Sequence, residues 1–232
     1  MGSNNKKIWQ DYILTLSCAI LAALLVRYFV LAAYRVPTSS MAPTLRPGDF
    51  IFSSQVSYGI KIPGAQKRAN PRLPERGEVI IFTHPGKSAP IYVKRVLALP
   101  GDRIEIQKGL VVLNDKPLTY ESVESSDLKD LPGFKFQKVM KESFENGDSH
   151  LVMYASEGSS DSMAPRVIPP DEIFVLGDNR DASDDSRDWG TVPTAAIEGR
   201  ATCIWLSLDW QDLWLDNRLP KIRWNRVFTC LD

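Results

Sequence analysis

The chain has 232 residues, room for one medium domain or one domain with an insertion. Its 28 basic and 28 acidic side chains cancel, so it lacks the basic excess that a nucleic-acid partner calls for. Sixteen prolines and 14 glycines, scattered rather than clustered, suit a β-rich fold with many turns, and the 3 cysteines (Cys18, Cys203 and Cys230) form no CxxC or Cys/His cluster suited to a metal.

Residues 12–34 are apolar apart from Thr15, Ser17 and Arg27. A helix of about 20 such residues spans a bilayer. Lys6 and Lys7 precede the run, and Trp9, Tyr12, Tyr28, Phe29 and Tyr34 sit near its ends, as interfacial anchors do. Arg27 is costly in mid-bilayer but close enough to the far end to snorkel. A cleaved secretory signal is one alternative, but the run is long for that and no clear small-x-small site precedes the domain. A buried core helix is another, and apolar stretches of this length rarely serve as one. The expectation is therefore a single N-terminal transmembrane helix, with residues 1–35 as tail and anchor. Lys6, Lys7 and the terminal amine oppose Arg27, Arg35 and Arg46, so charge leaves the orientation open.

From residue 36 onward, short apolar runs alternate with turn signals. Residues 50–53, 78–82, 91–97, 103–106, 110–113 and 172–176 read as strands, and Gly48-Asp49, Pro100-Gly101-Asp102 and Asn114-Asp115 as turns. No long amphipathic helix stands out in this part, so the domain of residues 36–232 is expected to be mainly β. Residues from about 120 to 170 are more polar, with Ser and Asp clusters at 124–127 and 157–161. The tail is rich in tryptophan (Trp205, Trp210, Trp214, Trp224), which suits either a buried core or a membrane interface. Cys18 falls in the apolar run as a small apolar residue. Cys203 and Cys230 are able to pair in an oxidising compartment, although the sequence gives no distance between them.

Three segments carry chemistry. Ser40 lies in Pro37-Thr38-Ser39-Ser40-Met41-Ala42-Pro43-Thr44-Leu45. Lys94 lies in the apolar run Ile91-Tyr92-Val93-Lys94-Arg95-Val96-Leu97, where strand alternation puts Tyr92, Lys94 and Val96 on one face and Arg95 on the other. A serine needs a base before it can attack a carbonyl, and a lysine kept neutral by apolar surroundings can supply it. The chain's 2 histidines, His84 and His150, sit in no nucleophile–base pattern and read as surface residues. The third segment runs from Gly177 to Arg187, with Ser183, Asp185 and Arg187 at i, i+2 and i+4. Its aspartates invite a calcium reading, but no register supplies both the glycine and the glutamate of a calcium-binding loop. Ser40-Met41-Ala42-Pro43 recurs as Ser162-Met163-Ala164-Pro165 in what reads as a polar loop, without the Thr-Leu and Gly-Asp that follow the first copy, and reads as chance.

The order and spacing of these three segments resemble the bacterial type I signal peptidases over nearly all of the chain after the apolar run. The resemblance implies a membrane-bound serine endopeptidase that removes signal peptides from exported preproteins, with Ser40 as nucleophile and Lys94 as base. It implies an oxyanion hole made by the Thr38 hydroxyl and the Ser40 backbone N–H. It further implies that Ser183 orients the lysine and that Asp185 and Arg187 form supporting salt bridges. By the same resemblance, Tyr34, Val36, Met41, Leu45 and Tyr92 are expected to line small apolar pockets for Ala-x-Ala sites. The interval of about 120–170 matches a variable insertion. The chain's partners are then preproteins and the lipid bilayer, with the N-terminus inside, the domain on the exported side of the cytoplasmic membrane, and no cofactor or metal. A self-cleaving repressor shares the Ser-Lys pair but carries a DNA-binding helix-turn-helix and no anchor. A tethered β-rich binding module would have no need for the three segments together.

Overall fold

The computed structural model describes residues 2–29, 31–62, 68–84, 86, 90–123, 137–155, 161–209 and 219–231. A 28-residue helix, α1 (Gly2–Phe29), leads into β1 (Leu31–Arg35) and β2 (Asp49–Ser54). Then follow β3 (Val79–Thr83), β4 (Ile91–Ala98), β5 (Arg103–Gln107), β6 (Leu110–Leu113), β7 (Lys116–Pro117), β8 (Thr119–Ser122), β9 (Gln137–Ser143), β10 (Ser149–Ala155), β11 (Met163–Val167) and β12 (Glu172–Leu176). One turn of helix, α2 (Ser186–Trp189), precedes β13 (Val192–Pro193), the 13-residue β14 (Ile197–Asp209), β15 (Lys221–Ile222) and β16 (Thr229–Cys230).

Among the described residues the main sheet has 9 strands, in the order β1-β2-β14-β3-β4-β12-β13, with β15 and β16 also paired to β14. Smaller sheets of order β10-β9-β8 and β11-β5-β6-β7 flank it. The six runs read as strands all form strands. β3 is buried on both faces: Val79 and Ile81 join one core cluster with Met41, Leu45, Ile51 and Ile204, while Ile80 and Phe82 join a second with Val96, Val175 and Val192. A strand with apolar neighbours on both sides needs no polar alternation, so it appears in sequence as an unbroken apolar run. The β5–β6 hairpin instead alternates, with Ile104 and Ile106 turned into a third cluster with Leu97 and Phe174. Asn114 and Asp115, at φ of 51° and 65°, supply the left-handed pair that a two-residue hairpin turn requires. Gly101, at φ of 85°, turns the chain between β4 and β5.

The apolar run of residues 12–34 is not one element. Its helical part ends at Phe29, and Leu31–Arg35 pairs antiparallel with β2, setting Tyr34 opposite Ile51. Tyr34 therefore belongs to the sheet and not to the far end of a helix. The backbone groups of β1 find partners in β2, which continuing α1 would forfeit. Along α1, Trp9, Tyr12, Ile13, Leu14, Leu16, Ile20 and Leu21 are all exposed, and the Thr15 hydroxyl donates back to the Asp11 carbonyl at 2.8 Å. No helix among the described residues is long and apolar enough to cross a membrane. The side chain of Arg27 lies outside the described residues, as do Trp210, Trp214 and the polar stretches 124–136 and 156–160.

Three readings change. His150, expected at the surface, is buried, because it lies on the inward face of β10 with Val152 and Tyr154 and directly opposite Glu142 of β9. His84 is half-buried, its ring 5.0 Å from that of Tyr92 and 4.8 Å from that of Trp189. The second copy of the serine motif is not in a loop: Met163–Val167 is β11, paired with β5, and Ser162 just before it accepts a hydrogen bond from the Lys108 N–H at 3.2 Å. In the tail, Trp205 stacks on Phe52 with ring centroids 5.6 Å apart, while Trp224 is 73% exposed. Trp205 is thus half-buried against the sheet and Trp224 lies open at the surface.

Candidate active site

Ser40 sits on a tight turn between β1 and β2. The Ala42 N–H donates to the Ser39 carbonyl at 3.0 Å and the Leu45 N–H to the Met41 carbonyl at 2.8 Å, and the Ala42–Pro43 peptide is cis. Met41, Ala42 and Leu45 are buried and fix the turn from beneath, while Ser40 keeps part of its surface open. The Thr38 and Ser40 hydroxyl oxygens are 3.3 Å apart. The segment after β12 meets this turn through its backbone: the Asn179 N–H donates to the Ser40 carbonyl at 3.1 Å, and the Asn179 side-chain amide donates to the Ser39 carbonyl at 3.2 Å.

Lys94 projects from β4 onto the same face as Tyr92, whose ring centroid is 5.9 Å from Nζ. It is 2% exposed, and Nζ donates to the Ser183 hydroxyl at 2.8 Å. Burial is the largest influence on its ammonium and lowers it. Asp185 and Asp184 pull the other way and Arg187 adds to the lowering, leaving a pKa of about 8. Ser183 and the Ser40 turn are drawn together across Gly177. A Cβ on Gly177 would collide with the Ser183 hydroxyl and the Ser40 carbonyl oxygen at once, so only glycine permits this approach. The three segments singled out in the sequence thus converge on one place.

Asp185 and Arg187 brace the convergence. Arg187 Nε and a terminal nitrogen donate to the two Asp185 oxygens at 2.8 and 2.9 Å. Asp185 also accepts the Gly177 N–H at 3.0 Å and caps the N-terminus of α2. Arg187 reaches on to the Arg180 carbonyl at 2.5 Å and to Asp161 at 3.0 Å. Burial raises the Asp185 carboxyl, and the Arg187 guanidinium more than offsets it, holding the group below the usual carboxylate range.

Of the five residues expected to line apolar pockets, Val36, Met41 and Leu45 form one buried cluster, and Tyr34 packs against it. Tyr92 lies in the neighbouring cluster with Phe82 and Trp189, on the Lys94 side.

Other residues at the site went unnoticed in the sequence. Arg95, on the opposite face of β4, is buried and forms a bidentate pair with Asp178 at 2.8 and 2.7 Å. The Thr44 hydroxyl donates to the same carboxylate at 2.5 Å, so the pair also holds the Ser40 turn. Burial raises the Asp178 carboxyl and Arg95 more than reverses that. Behind it lies a second buried pair: Arg180 donates to Glu142 at 2.7 and 2.5 Å, and the Tyr120 hydroxyl donates to Glu142 at 2.5 Å. Burial and the nearby Arg95 lower the His150 imidazole, opposed by Glu142. The interval read as a variable insertion therefore supplies buried supports: Val139 and Met153 pack on Ala42, and the Met153 N–H donates to the Asp178 carbonyl at 2.8 Å. An arginine beside a lysine in an apolar run was the available signal for the first pair. None marked the second.

A family model described as signal peptidase, peptidase S26, matches residues 9–206. The chain is 33% identical over 261 residues to a protein named signal peptidase I from Rickettsia bellii (strain OSU 85-389), covering 97% of this chain and 87% of that protein. It is 34% identical over 260 residues to a protein of the same name from Rickettsia akari (strain Hartford), covering 98% and 94%. A solved signal peptidase I from Enterococcus faecalis V583 aligns at 25% identity with a TM-score of 0.35, covering 56% of this chain and 97% of that one.

Proposed function

This chain belongs to the signal peptidase family, peptidase S26, and on that premise we propose that it cleaves signal peptides from preproteins with Ser40 as nucleophile and Lys94 as base. The observation that carries the assignment is the state of Lys94: buried, lowered to about 8, and held by Ser183 in the cluster that also holds the Ser40 turn. Neutral Nζ takes the Ser40 proton as Oγ bonds to the scissile carbonyl carbon. The oxyanion that forms accepts hydrogen bonds from the Ser40 N–H and the Thr38 hydroxyl, which lies 3.3 Å from Ser40 Oγ. The carbon–nitrogen bond then breaks, the lysine returns its proton to the leaving amine, and an acyl-enzyme remains. The same lysine deprotonates a water that releases the signal peptide. Ser183 orients Nζ, and Asp185 with Arg187 holds the Ser183 segment against the turn.

The substrate reading rests on Val36, Met41, Leu45 and Tyr34 beneath the turn and Tyr92 beside the lysine. These give an apolar surround fitted to the small residues of an Ala-x-Ala site. The reading of α1 as a bilayer anchor, with the domain on the exported side, is supported by its run of exposed apolar side chains and by Lys6 and Lys7 before it.

The test is cleavage of a preprotein by the detergent-solubilised chain, with the mature N-terminus sequenced. Ser40→Ala should lose activity by several orders of magnitude, as removal of a triad nucleophile does, while keeping its melting temperature. Ser162→Ala should match wild type. Near-normal cleavage by Ser40→Ala would overturn the assignment.

A further inference from the structure

The C-terminal strand β16 pairs antiparallel with β14 and sets Cys230 directly opposite Cys203. The Leu231 N–H donates to the Thr202 carbonyl at 2.8 Å. That bond joins the residue after Cys230 to the residue before Cys203, so the two cysteines form a pair of the kind that exchanges no hydrogen bonds of its own. In such a pair the Cα atoms lie about 4.5 Å apart, with side chains adjacent on one face. A disulfide needs a Cα separation of about 4.4–6.8 Å. Cys203 is partly exposed and Cys230 exposed, so both thiols can be reached, and both are free here.

We propose that Cys203 and Cys230 form a disulfide that pins the C-terminal segment to β14. The step removes two protons and two electrons from the thiols. A disulfide-bearing oxidant takes the electrons: one cysteine thiolate attacks it to give a mixed disulfide, and the second displaces the oxidant as its dithiol. The cellular side rests on the proposed function, which puts the domain on the exported face, where such oxidants work.

The pinned segment bears on the active site. Arg226 donates to the Thr44 carbonyl at 2.8 Å and to the Asp49 carboxylate at 2.6 Å, gripping both ends of the chain that leaves the Ser40 turn. Leu231, next to Cys230, packs in the cluster of Met41 and Leu45. Yet β16 itself is only two residues long, a short ladder to hold that brace in place.

Two samples of the full chain test this by mass mapping of alkylated peptides, with preprotein cleavage assayed alongside. One is purified protein in a buffer of oxidised and reduced glutathione, and the other is protein whose thiols were trapped by alkylation in intact cells. A Cys203–Cys230 linked peptide in both, a Cys18 thiol that stays alkylatable, and a half-inactivation temperature that falls by about 5 °C on reduction are the expected results. Cys203→Ser should fall by as much as Cys203→Ser/Cys230→Ser and lose its response to reductant. Alkylatable Cys203 and Cys230 in the oxidised purified protein would overturn the pairing, even if cleavage were normal. A linked peptide in the purified protein with free thiols in the trapped cells would overturn the disulfide as the cellular state. In that case the cleavage assay decides separately whether the protease reading stands.

Discussion

At the residue scale, the feature on which the proposed chemistry turns is a lysine without its usual solvation. Lys94 is lowered to about 8, below the usual lysine range near 10.5. With neutral Lys94 as the proposed base, kcat/KM for preprotein cleavage should rise with pH through about 8 and then level. Lys94→Arg should be inactive at every pH, since guanidinium keeps its charge. A profile that rises near 6.5 instead would point to a histidine. The same shift acts on stability. A lysine with a lowered folded pKa binds fewer protons folded than unfolded between about 8 and 10.5, so its burden on the fold is full below 8 and fades as pH rises. Lys94→Met, though dead, should therefore melt higher than wild type at pH 7, by up to about 3 kcal/mol, and the gap should shrink by pH 10. Melting both proteins across that range checks the sign. Strand alternation set Lys94 on one face with Tyr92, but an exposed edge-strand lysine reads the same way, and only the Ser40 and Ser183 segments beside it singled it out. The burial of Arg95 was not legible, because its partner Asp178 lies 83 residues away and only the sheet brings them together.

At the element scale, the segment Gly177–Arg187 works as a clamp. Asp185 ties Gly177, α2 and Arg187 into one unit, and its side chain is fully buried while that of Arg187 is 11% exposed. Removing Arg187 leaves the Asp185 charge buried and unpaired, at roughly 3–5 kcal/mol, while removing Asp185 leaves Arg187 only its ion pair with the exposed Asp161. Asp185→Ala and Arg187→Ala should both lower thermal stability and activity together. Ser183→Ala removes one hydrogen bond to Lys94, about 1 kcal/mol, so it should cost rate while sparing most stability. Melts beside cleavage rates separate the two classes; an Asp185→Ala enzyme as stable as wild type yet as dead as Ser40→Ala would make Asp185 a catalytic residue. This clamp was read in the sequence from family resemblance and not from pattern. The β9–β10 hairpin was missed for a physical reason: its inward face alternates Glu142, His150, Val152 and Tyr154, and buried polar residues in a strand look like solvent-facing ones until the partner is known.

At the scale of the whole molecule, the boundary between helix and sheet sets what can be cut away. Composition and turn spacing pointed to a mainly β domain, and the apolar run pointed to an N-terminal helix. What periodicity did not reveal is that the run holds two elements, one ending at Phe29 and the other beginning at Leu31, because apolar residues suit α1 and an edge strand alike. The consequence is sharp for truncation. Removing residues 1–29 takes α1 alone and leaves β1 paired with β2, with Tyr34 and Val36 still beneath the Ser40 turn. Such a chain should fold and cleave a preprotein in detergent, with kcat within about tenfold of the full chain. Removing residues 1–35 takes β1 as well. It strips β2 of its neighbour on one edge, frees the backbone groups opposite Phe50–Ser54, and loosens the run into the turn. That chain should melt lower and lose most of its activity even in detergent. Exposed Trp224 and Phe228, 73% and 75% exposed, remain in both, so both should still bind detergent or lipid. Equal melting temperatures and equal rates for the two truncations would mean that β1 contributes nothing to the site, and Tyr34 would then lose its place among the substrate-lining residues.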